Sequence, residues 1–368
     1  EGAAAQRRVS HGFLSNVGVS ITHRLGHSAV YSRPVGPDSR APVPTLPLPP
    51  EDTETTHPAS ISVFLPEFPQ RKLPGRDLFQ VPQHMKILGF IAKGSYGPIL
   101  KVKDITKEKT YAVKVIIMLY SLSLCVCVCV CVCVSTVALQ RQLKHPFIHN
   151  LQDCWQTQHH LFIMCDYCST GDLYTYWLLK GRFGEDVVQL FAAELVSACV
   201  FNDLGHLRLS DFGLSRRLKR GGRAFTICGT IQYMAPEVLS GGPYNHAADW
   251  WSFGIMLFSL VTGEFPVPAE PDHSTMSNMV TEFAYVLPET FSSALILLLT
   301  ELLCKNPLNR LRNLECFKTQ AFFRGTSFDS LILQKMPVKV ILELRTHPDW
   351  TSKCNSCLFL YFPKMHWY

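Results

Sequence analysis

The residues best suited to chemistry are a glycine turn, a strand-end lysine and a turn aspartate, in that order along the chain. Gly94-Ser95-Tyr-Gly97 sits between two apolar runs, and glycines there let backbone N–H groups approach phosphate oxygens. Lys114 closes an Ala112-Val-Lys strand 17 residues after Gly97, where an ammonium can hold phosphates as a point charge. Asp211-Phe-Gly213 follows the strand-like Leu207-Arg-Leu-Ser and offers a hard carboxylate oxygen for Mg²⁺. Each signal alone is weak, because hairpins, strand ends and plain turns use the same residues. The string from Thr226 to Glu237, Thr-Ile-Cys-Gly-Thr-Ile-Gln-Tyr-Met-Ala-Pro-Glu, is stronger. It is followed in order by Asp249-Trp-Trp-Ser-Phe-Gly254 and Asn306-Pro-Leu-Asn-Arg310, and chance is a poor source for such an ordered set.

The elements that must position these groups divide into two textures. From Lys86 to Met164 the apolar runs are short and strand-like: Lys86–Ile91, Ile99–Lys103, Tyr111–Ile116 and Leu161–Met164. After Ser169 the period becomes helical, as in Phe291, Ala294, Leu295, Leu298 and Leu302, which share one face. Strands first and helices later predict an α+β fold of two lobes. Residues 1–83, with Pro42, Pro44, Pro47, Pro49 and Pro50, carry no sustained hydrophobic period and read as a flexible leader. The domain is expected over 84–325, with lobes at 84–168 and 169–325, and 326–368 forms a tail of no evident type. A net charge of +6 is too mild to argue for nucleic acid or a membrane surface. The 14 cysteines show no pair of CxxC motifs at zinc spacing, only Cys354 and Cys357. A reducing, intracellular setting, cytoplasmic or nuclear, is expected.

Val115–Leu139 has 25 residues and no charge, long enough to span a bilayer as a helix. It contains Cys-Val five times in succession, from Cys125 to Val134. TGT encodes Cys and GTG encodes Val, so a TG dinucleotide repeat translates to this ribbon. Non-coding DNA read through is the simpler source, and a membrane span is not favoured.

Taken together, glycine loop, Ala-Val-Lys, Asp-Phe-Gly, Ala-Pro-Glu, Asp-Trp-Trp and a late Arg resemble the protein kinase domain. Cys228-Gly-Thr and Asp249-Trp-Trp resemble the AGC group of Ser/Thr kinases. His145-Pro-Phe, Phe162-Ile-Met-Cys and Leu239-Ser-Gly-Gly-Pro-Tyr resemble its branch related to ribosomal protein S-six kinases. The likeness covers about 84–325. It implies a two-lobed kinase fold that uses ATP and Mg²⁺ to phosphorylate protein Ser/Thr. It implies that Ala92, Gly94, Ser95, Gly97, Ile99, Ala112, Lys114, Met164, Cys165, Cys168 and Asp211 surround the nucleotide, with Cys165–Cys168 as hinge and Asp211 on the metal. It also implies that Thr226 is phosphorylated by an upstream kinase, with Arg216, Arg217 and Arg220 near that phosphate. Thr230 would border the substrate hydroxyl, while Glu237, Asp249 and Arg310 would brace the helical lobe.

The chain departs from that pattern twice. The family pairs its strand lysine with a helix glutamate, yet no Asp or Glu occurs between Glu108 and Asp153, and the family position falls near Ser135–Val137. The family also carries His-Arg-Asp and a following Asn upstream of Asp-Phe-Gly, as base and second metal ligand. Here Phe201 runs directly into Asn202-Asp-Leu-Gly-His206, and His-Arg-Asp is absent before Asp211. Asp203 lies only eight residues before Asp211, and Asn202-Asp-Leu-Gly reads as a turn between strands. No catalytic base is therefore assigned. Three readings follow: an ATP-dependent kinase whose chain here keeps intron sequence and skips an exon, a pseudokinase that holds a protein partner, and, least favoured, a membrane-anchored protein. The regulatory hydrophobic motif that AGC kinases carry at the C-terminus is not visible in the tail.

Overall fold

A computed structural model describes residues 65, 68–71 and 81–344, apart from 95–96, 118–133, 135, 144, 146–147, 169–171, 197–206, 208, 210–211, 216, 334 and 336–337. Most of the leader, the Cys-Val ribbon, Ser95, Asn202, Asp203, Asp211, Arg216 and the end of the tail lie outside the described residues.

Five strands form the first lobe: β1 (Met85–Gly94), β2 (Gly97–Asp104), β3 (Lys109–Ile117), β4 (Leu151–Gln156) and β5 (His160–Asp166). The sheet is antiparallel in the order β1-β2-β3-β5-β4. Its alternation of side chains sorts two clusters onto opposite faces. Leu100, Val102, Tyr111, Val113, Val115, Trp155, Phe162 and Met164 pack on one, with Trp155 and Phe162 stacked at 4.9 Å between centroids. Ile116, Cys154, Leu161 and Ile163 pack on the other, joined by Val137 and Phe68. Asp104 turns β2 into β3, since its carboxylate accepts from the Thr106 hydroxyl at 2.6 Å and from the Thr106 and Lys107 amides. These bonds hold its pKa below the usual carboxylate value.

The second lobe is helical: α1 (Leu173–Lys180), α2 (Glu185–Leu195), α3 (Pro236–Leu239), α4 (Ala247–Thr262), α5 (His273–Glu282), α6 (Ser293–Leu302) and α7 (Leu314–Lys318). Side-chain caps start four of these seven: Asp172, Asp272, Ser292 and Asn313 each accept an orphan N–H. α4 is buried on nearly every side, the signature of a helix at a lobe's centre. Gly254 makes this possible, because a Cβ there would press into Leu302 and Leu303 of the α6 end. The tail adds α8 (Ser330–Leu333) and α9 (Lys339–Leu344). Val338 and Ile341 join the helical core, and Leu333 packs on Ala193 of α2. Among the described residues no helix is long and apolar enough to cross a membrane, and Val115–Ile117, at the head of the uncharged stretch, belong to β3.

Candidate functional site

The glycine turn is a β1–β2 hairpin in which Gly94 pairs with Gly97 and Ala92 with Ile99. Gly97 has φ of 150° and lies so close to β3 that a Cβ would overlap the Val115 carbonyl oxygen. Only glycine fits this approach without backbone movement. Ile99 pairs with Lys114, and Lys114 pairs with Ile163. One step along, Lys101 pairs with Ala112, and Ala112 with Cys165. Directly paired residues share a face, so Ala92, Ile99, Ala112, Lys114, Ile163 and Cys165 make one surface, apolar around a single half-buried lysine. Met164 is the exception among the sequence-predicted residues. It pairs with Val113 and is buried in the cluster on the opposite face.

The hinge continues from β5. Lys109 meets Asp166 at 2.8 Å, and Lys101 places its ammonium 4.4 Å from the Tyr167 ring centroid. A His149 ring nitrogen lies 2.5 Å from the Asp166 carbonyl oxygen. Cys168 is half-buried just beyond.

Residues 136–142 are helical and pack beneath this face. Sequence reading finds no acid here to orient Lys114, and the structure assigns the segment other duties. The Thr136 hydroxyl donates to the Phe212 carbonyl at 3.3 Å. The Gln140 amide donates to the His149 carbonyl at 2.6 Å and to the Cys165 sulfur at 3.6 Å. Thr136 and Gln140 thus tie the helix to the Asp-Phe-Gly turn and the hinge. Neither carries a sequence signal, since a polar residue on a short helix is ordinary. Leu207 is anchored by its amide to the buried Glu194 carboxylate at 3.0 Å, and the Leu209 carbonyl accepts from the His149 amide at 2.8 Å. The stretch leading into Asp-Phe-Gly is therefore braced from both lobes.

The downstream string folds as one unit. Ala224 bridges Tyr244 through two backbone bonds of 2.8 and 2.9 Å, and the Tyr244 hydroxyl donates to the Thr226 carbonyl at 2.5 Å. Thr226 is half-buried, while Arg217 and Arg220 are exposed. Thr230 precedes a 3-10 turn at Ile231–Tyr233, and it lines a narrow cleft with Cys228, Asp249 and Ser252. Arg310 grips Glu237 through two bonds of 2.6 and 2.9 Å, donates to the Ala247 and Cys304 carbonyls, and lies 5.1 Å from the Trp251 ring centroid. Its side chain is fully buried. Asn306 sets up the arginine by capping its own turn, accepting from the Leu308 amide at 3.0 Å.

The model of the protein kinase domain family matches residues 85–201 and 199–322. The chain belongs to the protein kinase family. The match comes as two segments, and the break between them falls where His-Arg-Asp is absent from the sequence. The chain is 48% identical over 355 residues to human ribosomal protein S6 kinase-related protein, covering 89% of this chain and 83% of that one. It is 32% identical over 280 residues to the Drosophila melanogaster protein kinase C, eye isozyme, covering 69% and 40%. Over 252 residues it is 31% identical to human ribosomal protein S6 kinase alpha-1, covering 62% and 34%. It spans under half of those two longer kinases. These matches agree with an AGC-type Ser/Thr kinase domain and with the two-lobed α+β architecture.

Proposed function

We propose that this chain is an AGC-type kinase domain that keeps a nucleotide-binding face and lacks phosphoryl transfer. The face carries the first half of this reading. Ala92, Ile99, Ala112, Ile163 and Cys165 offer small and aliphatic surface to a planar base, and Lys114 stands among them for the phosphates. Bound ATP would supply the transferable phosphoryl group. The metal set is less complete: Asp211 is present in the sequence, but no following-Asn partner from a His-Arg-Asp loop exists. The sequence holds no carboxylate at the place where a substrate hydroxyl gives up its proton. A general base alone contributes about 10²- to 10⁴-fold in rate, and the loss here also takes the positioning surface around it. Thr226 remains the proposed acceptor for an upstream kinase, with Arg217 and Arg220 on the same segment. An intracellular location follows from the family.

A second reading rests on the helical lobe. The Thr226–Glu237 segment is fully placed by Tyr244 and Arg310, so this lobe can hold a protein partner without catalysis.

Thermal melts of the full chain with Mg·ATP test the proposal. At a hundredfold excess over Kd the melt should rise by roughly 5 °C, and Lys114→Met should abolish the rise. Labelled γ-phosphate should not reach a peptide. Robust labelling that Lys114→Met removes would overturn the reading, and no melt shift at all would leave only the partner-holding lobe.

A further inference from the structure

β4 is the last strand of its sheet, and its outer row of backbone groups needs a partner. That partner comes from the span read as leader, ahead of the family match. Gln70 bridges Gln156 in parallel. The Gln156 amide donates to the Pro69 carbonyl at 3.0 Å, and the Arg71 amide donates to the Gln156 carbonyl at 2.9 Å. The Gln156 side chain is 3% exposed. It donates to the Leu65 and Phe68 carbonyls at 2.9 and 2.5 Å and accepts from the Leu65 amide at 3.4 Å. Phe68 is 0% exposed, inserted among Ile116, Val137, Cys154, Leu161 and Ile163. Arg71 ends the contact, pairing with Asp153 at 2.8 Å and lying 5.1 Å from the Trp155 ring centroid. The pocket wall is also fixed, because the Arg141 guanidinium donates to the Cys154 sulfur at 3.0 Å.

A main-chain ladder, one deep apolar pocket and one terminal ion pair are the parts by which sheet edges recognise extended peptides. We propose that the outer edge of β4 is a peptide-docking groove for an extended Phe-x-x-Arg segment in parallel register, occupied in cis by residues 65–71. A fully desolvated glutamine that spends its amide on the carbonyls of Leu65 and Phe68 is built for a backbone ligand. A short tether keeps the segment at an effective concentration on the order of mM, so the chain's own peptide outcompetes others. This inference is independent of the nucleotide reading.

The test uses a fluorescein-labelled peptide of residues 62–74 and the full chain, followed by anisotropy. The unaltered chain is compared with a Phe68→Ala, Arg71→Ala double variant whose groove has been vacated. The variant should bind the peptide saturably and at least tenfold more tightly than the unaltered chain does. A peptide carrying Ala in place of Phe68 should lose at least tenfold. Equal affinity for the two chains, no binding to the variant, or indifference to that alanine would overturn the proposal. Should circular dichroism show the variant unfolded, hydrogen exchange on the unaltered chain decides. Arg71 and Gln156 amides should be protected at least 10²-fold, and exchange of both at open-chain rates would refute it.

Discussion

The two lobes solve the same problem with different means. The helical lobe buries one continuous cluster around α4, and it draws every wall from its own segment or the tail next to it. The sheet lobe divides its apolar residues between two faces, and each cluster is small. One of those clusters is finished only by Phe68, from a stretch without hydrophobic period of its own. The difference follows from geometry. A central helix can be covered all round by other helices, whereas a five-stranded sheet leaves two faces and two edges to be closed. The helical lobe therefore has a structural centre that single polar substitutions can damage, while the sheet lobe depends on close backbone approaches and on borrowed cover.

The strongest challenge to this contrast is Glu237→Gln or Arg310→Met. Arg310 is fully buried and Glu237 nearly so. Removing one partner strands the other charge away from water, at a cost of about 3–5 kcal/mol. Urea denaturation read through Trp251, which sits against Arg310, should show that loss. The β4–β5 amides should keep their exchange protection at urea concentrations that have already unfolded the helical lobe. A loss below about 1 kcal/mol, the range of an exposed pair, would mean that this lobe has no such centre.

Gly97→Ala is the matching cut in the sheet lobe. Alanine must adopt a φ of 150° and place a Cβ into the Val115 carbonyl oxygen. Backbone strain of this kind costs about 1–3 kcal/mol, and relief requires the hairpin to lift from β3. The Mg·ATP melt shift should vanish while the Trp251 urea transition stays in place. An unchanged nucleotide shift would show that the hairpin tolerates displacement and that the close approach is incidental.

Legibility in the sequence followed the same division. Glu237, Arg310 and the helical period of α6 could be read because they sit within long ordered strings, and the pairing of Glu237 with Arg310 is the one the resemblance implies. The glycine hairpin and the lysine strand were equally visible, as period-2 runs around punctuating glycines. Met164 was assigned to the nucleotide with its neighbours, yet a strand alternates its side chains, and its register with Val113 turns it to the opposite face. Phe68, Gln156 and Thr136 gave no signal at all. Their contacts join segments far apart in the chain, and a Phe within a proline-rich stretch has no periodic neighbours to mark it.

The smallest expected effect separates the lobes by pH. Burial lowers the pKa of His145 and His160 below the ordinary 6.5, and His159 adds to it for His160. Both belong to the sheet side of the molecule. A lowered histidine binds protons more readily when unfolded, so its contribution is fully present above pH 6.5 and falls away as the pH drops below that value. Asp172, which caps α1 in the helical lobe, behaves oppositely. Burial raises its carboxyl above the ordinary 3.8 despite the bonds from Thr175, so its protonated form favours the folded state and that contribution is lost as pH rises through the folded value. Lowering the pH from 7.5 to 5.5 should therefore reduce sheet-lobe protection, read at the β4–β5 amides, and leave the Trp251 transition nearly unmoved. His160→Gln should flatten the sheet-lobe response. An equal acid loss in both lobes, or a response that His160→Gln leaves unchanged, would place the titrating groups elsewhere and dissolve this part of the contrast.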